Sequence, residues 1–182
     1  MFNLERIIND LREARVNAPV MIRGLNTGGI DNQKIIEMVD NLGVTISGGA
    51  RFFLESLDFK TSTKRQGQDM IKIRLRNLGI KGDNLTYSNI YKRANSWGFR
   101  EYPMGTAVEL FLHEIEEISD EPIFVATEPV YNKEKVPFIF RVDFRNRSID
   151  LTNSSKFGGK GWTKDDEFMF VIPRETAESI RA

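Results

Sequence analysis

Ile71-Lys72-Ile73-Arg74-Leu75-Arg76 alternates apolar and basic side chains over six residues. Successive side chains of a strand point to opposite sides of the pleat, so period-two alternation predicts a β-strand with one buried and one polar face. Immediately upstream, Lys60-Thr61-Ser62-Thr63-Lys64-Arg65-Gln66-Gly67-Gln68 is polar and rich in turn formers. It reads as a basic connector over residues 60–69.

Before the connector the periodicity is helical. Asn3 is a suitable N-cap, and Leu4, Ile7, Ile8, Leu11 and Ala14 recur at helical spacing, which predicts an amphipathic helix over residues 3–16, with Pro19 in the connection that ends it. A second helix is predicted from an Asp31 cap through Ile35, Ile36, Val39 and Leu42 to Gly43, and a third over residues 50–57. Beyond the basic strand comes a helix capped at Asn84 or Thr86, with Tyr87, Ile90, Tyr91, Ala94 and Trp97 on one face and Gly98 at its end. Strands are expected over residues 107–112, 123–127, 138–144 and 168–173. Helices first and strands mostly later, without regular βαβ alternation, predict an α+β fold. The expected organisation is a small helical N-terminal region (1–59), the connector, and a domain (70–182) in which one helix packs on a largely antiparallel sheet.

The chain has 182 residues, 40% of them hydrophobic, enough for a normal core. Cysteine is absent, which excludes disulfides, thiolate nucleophiles and cysteine-ligated metals. The single histidine, His113, cannot build a multi-histidine metal site, and no G-x-S-x-G elbow accompanies it for a nucleophilic triad. The start, Met1-Phe2-Asn3-Leu4-Glu5-Arg6, lacks the basic and apolar segments of a signal peptide, and no apolar run is long enough for a membrane-spanning helix. A cytoplasmic chain without membrane contact, cofactor or bound metal is expected, with the oligomeric state left open.

The formal net charge of 0 hides a polar division. Residues 60–100 hold ten Lys and Arg against Asp69 and Asp83, whereas residues 101–134 hold nine acids against Lys133. Adjacent blocks of +8 and −8 either neutralise one another in the fold or meet charged partners. Lys72, Arg74 and Arg76, two residues apart on a strand, form a row of cations spaced to follow a phosphate backbone. Lys81, Lys92 and Arg93, with Arg100 in the flank, would widen it into a patch. The opposing reading is an ordinary solvated strand face that guards a sheet edge. Glu114, Glu116, Glu117, Asp120 and Glu121 form a matching acidic cluster, suited to a basic protein partner or left as solvated surface.

Three further motifs are incomplete, and of these the helix-turn-helix, with Arg51 as its candidate DNA contact, is retained as an alternative. Residues 33–57 resemble a helix-turn-helix with a glycine turn and a Ser47 cap, but the second helix offers only Arg51 as a basic contact and Glu55 would face phosphates unfavourably. His113-Glu114-Ile115-Glu116-Glu117 has a glutamate where a zincin places its second histidine. Gly158-Gly159-Lys160-Gly161 lacks the first glycine and the Ser or Thr of a P-loop, and Gly28-Gly29 is a plainer turn signal still.

Residues from about 69 to 174 resemble a domain of uncharacterised bacterial proteins. The matching pieces are Leu78-Gly79-Ile80, Ile90-Tyr91-x-Arg93-Ala94 with Gly98, Pro103-x-Gly105, Glu128-Pro129-Val130, Pro137-x-Ile139-Phe140, and Trp162 followed by residues 168–174. Tyr102-Pro103 stands where that family has Cys-Pro, and the glutamate-rich run departs from its more neutral segment. The resemblance implies a domain placement and carries no catalytic residues. In general character, a small cysteine-free chain of this kind is also similar to phage-encoded inhibitors such as anti-CRISPR proteins.

These features favour binding over catalysis. The expected function is a non-enzymatic protein that engages DNA, RNA or a nucleic-acid-handling protein through opposed basic and acidic surfaces, possible roles including inhibition of a nucleic-acid enzyme. The alternatives are a transcriptional regulator that uses the N-terminal helices and a metal-dependent hydrolase or nuclease that uses the acids near His113.

Overall fold

The computed structural model describes residues 20–56, 59, 61–80, 85–113, 121–153 and 161–173. Among these, seven strands form one mixed sheet: β1 (Val20–Thr27), β2 (Thr45–Ile46), β3 (Gln66–Arg74), β4 (Ile123–Tyr131), β5 (Pro137–Asp143), β6 (Ser148–Asn153) and β7 (Glu167–Ile172). Their order across the sheet is β1-β3-β7-β4-β5-β6-β2. The pairs β7/β4 and β6/β2 are parallel and the other four are antiparallel. Four helices accompany the sheet: α1 (Asn32–Asn41), α2 (Gly48–Leu54), α3 (Tyr87–Ser96) and α4 (Thr106–Glu109).

This corrects the expected α+β architecture. The fold is mixed α/β and strand-rich, and the segment before residue 60 contributes two strands to the sheet instead of a separate helical layer. The predicted helix over 3–16 lies outside the described residues. β1 escapes a pattern reading because Arg23 and Gly24 form a bulge at which the pairing register shifts between Ile22 and Leu25, so the apolar alternation changes phase in mid-strand. Gly24 adopts φ +65° there, and its N–H donates to Asp69 Oδ1 at 2.8 Å. Residues 66–69, read as the end of a connector, are the opening residues of β3.

The predicted strand over 107–112 is also corrected. It is α4 followed by a 3-10 turn, Leu110–His113. A short apolar run does not distinguish a buried helix from a buried strand, and residues 106–111 are all buried. The helix after the basic strand forms as its sequence dictates. Thr86 Oγ1 accepts from Asn89 N–H, Ile90, Tyr91 and Ala94 are buried, and Gly98 adopts φ +82° just past the end.

Every residue of β7 is buried, as befits a central strand covered on both faces. On one face Met70, Val125, Phe140, Val142 and Met169 pack against α1, α2 and α4 through Ile35, Val39, Leu54 and Val108. On the other, Ile71, Ile73, Phe124, Phe168 and Phe170 pack against Ile90, Tyr91 and Ala94 of α3 and against Trp162. β4 and β7 pair only from Ile123 to Val125. Beyond that point residues 100–102 fill the fork between the two strands. Arg100 exchanges backbone hydrogen bonds with Val171, at 2.9 and 3.0 Å, and Tyr102 N–H donates to the Ala126 carbonyl at 2.6 Å.

Candidate nucleic-acid interface

The three cations predicted for the strand are each engaged by an acid, and only Lys72 and Arg74 lie on β3. β3 lies between β1 and β7, so it has no open edge to guard. Its register places Arg74 opposite Glu167. Glu167 Oε2 lies 3.0 Å from Lys72 Nζ and Glu167 Oε1 lies 3.2 Å from Arg74 Nε. The Lys72, Arg74 and Glu167 side chains are only 11%, 23% and 9% exposed, so the triad is a largely desolvated structural cluster. Arg76, on the 3-10 turn that follows β3, pairs with Asp165. The partners, Asp165 just before β7 and Glu167 at its start, lie about ninety residues downstream and outside the acidic block.

Nor do Lys92 and Arg93 extend that row. Lys72 and Arg74 share the face of Met70, whereas α3 covers the face of Ile71 and Ile73. Arg93 Nε donates to the Leu78 carbonyl at 2.6 Å and its guanidinium lies 5.2 Å from the Trp97 ring centre, an arrangement that ties α3 to the 3-10 turn. Lys92 is exposed on the outer side of α3, beside a cleft shared with Gly79, Asn89 and Ser96. Lys81 lies outside the described residues.

A different basic site forms where β3 begins and β7 ends. Arg65 and Arg100, 35 residues apart in sequence, both exposed, line one cleft of about 460 Å³ with Gln66, Gln68, Val171 and Pro173. Two elements hold them there. The pairing of Arg100 with Val171 fixes its backbone, and its guanidinium donates to the Phe99 carbonyl at 3.1 Å and to Asn95 Oδ1, at the end of α3, at 3.4 Å. Arg65 ends the 61–65 segment, which is tied to Gly28-Gly29. Gly29 N–H donates to the Ser62 carbonyl at 2.7 Å, and a Cβ on Gly28 would stand 2.5 Å from the Lys64 carbonyl oxygen. Gly28 therefore serves close backbone approach, which is more than the ordinary turn its sequence suggested.

Beneath that approach sits Glu109 of α4, 2% exposed, whose Oε2 accepts from Gly28 N–H at 2.7 Å. Burial raises its pKa above the ordinary carboxylate range, and the Gly28 hydrogen bond, His113 and Arg65 offset part of the rise. Glu101, in the fork between β4 and β7, is likewise raised by burial, with Glu128 adding to the effect and the Tyr87 hydroxyl, 3.1 Å away, opposing it. The hydroxyls of Tyr87 and Tyr91 both converge on the Thr127 carbonyl, at 2.8 and 3.0 Å. They satisfy an acceptor that the β4/β7 ladder no longer reaches.

The helix-turn-helix reading meets a specific obstacle. Two residues of the turn are β2, paired in parallel with Ser148 and Ile149, so α1 and α2 are fixed to the sheet. Arg51 pairs with Asp40 Oδ1 at 2.5 Å and approaches Glu55 at 3.7 Å. The Asp40 hydrogen bond is the main reason its pKa is raised. Of the acidic residues, Glu114, Glu116, Glu117 and Asp120 lie outside the described residues. Glu121 is exposed and lines a cleft with Arg141, Asp150 and Asp166 at the opposite end of β7 from Arg65 and Arg100. Among the described residues no group of three or more His, Asp or Glu side chains is placed to hold a metal ion. No helix among them is long and apolar enough to cross a membrane.

No protein-family model, curated protein or solved structure matches this chain. Its own geometry therefore carries the functional argument. Arg65 is the residue that the sequence did not single out as a site candidate, and Arg100 was expected only as a flank of the Lys72, Arg74 and Arg76 row. Their membership of the basic block was visible, but their juxtaposition depends on where β7 runs.

Proposed function

We propose that this chain is a non-enzymatic binding protein that engages nucleic acid, or a nucleic-acid-bound protein, through opposed basic and acidic surfaces. The observation that carries the reading is the pair of exposed arginines in one cleft, Arg65 and Arg100. Arginine presents a planar fork of donors that suits phosphate oxygens. Lys92, exposed on the helix whose Asn95 accepts from Arg100, adds a further cation but lines a separate cleft with Gly79 and Ser96. The cleft lined by Glu121, Asp150 and Asp166, in which Arg141 stands 3.6 Å from Asp150 and the acids remain in excess, lies at the other end of β7, roughly 20 Å away by the length of a six-residue strand. A polar molecule of this design suits inhibition of a nucleic-acid enzyme, in the anti-CRISPR manner. One pole meets the nucleic acid and the other a basic surface of the enzyme.

The test is titration of labelled duplex DNA, single-stranded DNA and RNA at two salt concentrations, with wild type and Arg65→Glu/Arg100→Glu. Wild-type binding should weaken steeply with salt, because each neutralised phosphate releases counterions. The double reversal should reduce affinity by about tenfold or more and flatten the salt dependence by about two contacts. Unchanged binding by the double variant would remove the cleft from the interface. Absence of wild-type binding to nucleic acid and to nucleoprotein at low salt would remove the function.

A further inference from the structure

The hairpin between β4 and β5 displays the molecule's most exposed tyrosine. Of the four tyrosines, Tyr87, Tyr91 and Tyr102 direct their hydroxyls to carbonyls of the sheet, whereas Tyr131 is 61% exposed at the end of β4. Its ring meets no other aromatic among the described residues. Lys133 and Lys135 follow it, both exposed.

The tip is built to hold its shape. Asn132 Oδ1 accepts from Glu134 N–H at 3.0 Å and Val136 N–H at 2.8 Å, while Lys135 N–H donates to the Asn132 carbonyl at 3.0 Å. Lys135 sits at φ +60°, a conformation that a non-glycine residue keeps only where its surroundings impose it. Glu134, the acid of the turn, accepts from Asn132 Nδ2 at 2.9 Å and keeps its charge, so Lys133 and Lys135 give the turn an excess of one positive charge close in sequence to Tyr131. Phe52 is more exposed, at 80%, but its neighbour Arg51 is engaged by Asp40, so no comparable pairing of ring and cation arises there.

We infer that this tip is a second contact, specific for single-stranded nucleic acid: the Tyr131 ring stacks on an unpaired base and Lys133 and Lys135 meet the flanking phosphates. A π-face accepts any base, and a fixed turn lowers the ordering cost of binding. The inference rests on the nucleic-acid reading above but uses different residues and predicts a different preference. A duplex, whose bases are stacked internally, offers no face to Tyr131.

The experiment compares a labelled thymidine oligomer with a matched duplex, using the full chain. Tyr131→Ala should weaken oligomer binding by about five- to a hundredfold, with Tyr131→Phe near wild type and duplex binding unchanged. Tyr131→Trp should show quenched indole fluorescence when the oligomer is added. If Arg65→Glu/Arg100→Glu weakens binding but Tyr131→Ala does not, the tip is excluded while the basic cleft stands. Equal loss for oligomer and duplex with Tyr131→Ala would exclude stacking. If wild type binds neither, both inferences fall together.

Discussion

Lys72 and Arg74, in the middle and at the end of β3, and Arg65, just before its start, belong to one basic block in sequence and have opposite fates in the fold. The first two lie largely out of water against Glu167, while Arg65 stands exposed across a cleft from Arg100. A run of like charge thus says little about which members face a partner. What decides is the neighbouring strand: β7 brings a glutamate to one end of β3 and only Val171, Ile172 and Pro173 to the other. The cations of the first group contribute to the fold, and those of the second remain available for a ligand.

Removing Glu167 should break this contrast most severely. Glu167→Ala leaves Lys72 and Arg74 with little exposure and without the carboxylate that compensates both. The expected loss is about 3 kcal/mol, the low end for deleting one partner of a buried ion pair, since Arg74 retains 23% exposure. Denaturant titration reads it as a lower midpoint at unchanged slope. A loss below about 1 kcal/mol would show that the triad behaves as a surface pair. Arg65→Glu/Arg100→Glu should move stability far less, which separates the two groups of cations in one pair of measurements.

Glu109 sharpens the contrast on the side of the basic cleft, because it anchors Gly28, over which the 61–65 segment lies. Its folded pKa is raised by burial, so the folded state holds its proton more tightly than the unfolded chain does. The stability this gives is fully present below the ordinary carboxylate pKa and is lost as pH rises through the raised value. Glu109→Gln keeps an acceptor for Gly28 N–H and abolishes the titration. The advantage of wild type over the variant should therefore shrink from about pH 4 upward, measured by denaturation at a series of pH values. A constant difference across that range would mean that Glu109 is ionised in the fold at the same pH as in the unfolded chain. Glu101, raised in the same direction, is common to both proteins and cancels in the difference.

What was legible in the sequence follows the range of the interactions involved. α3 was readable because its cap at Thr86, its apolar face and its terminal Gly98 are all local signals, and the predicted strands over 138–144 and 168–173 match β5 and β7 to within a residue at each end. β1 was hidden by a bulge that is stabilised from outside it, through Asp69. The run over 107–112 was apolar enough for either element, and its place as a short helix packed against α1 and the sheet depends on residues distant in sequence. The cationic strand itself was legible, but its neutralisation was not, because Glu167 lies 93 residues from Arg74. The same limit hid the pairing of Arg65 with Arg100.

Arg51 provides the smallest effect and the most direct comparison with the cleft arginines. Its side chain is 36% exposed and paired to Asp40, itself 41% exposed, with Glu55 one turn along. Exposed pairs of this kind contribute about 0.5 kcal/mol, so Arg51→Ala should shift the denaturation midpoint only slightly. Its effect on binding decides more. If the helix pair read DNA, loss of the single basic contact on α2 would weaken duplex binding and relax sequence preference. In the fold observed here, β2 ties the turn between the helices to β6, and the Arg51 guanidinium already has two carboxylates as partners. Duplex affinity at low salt should then be the same for Arg51→Ala as for wild type, and well above that of Arg65→Glu/Arg100→Glu. A loss in Arg51→Ala as large as in the double variant would move the interface from the ends of β3 and β7 to the helices, and the exposure of Arg65 and Arg100 would need another explanation.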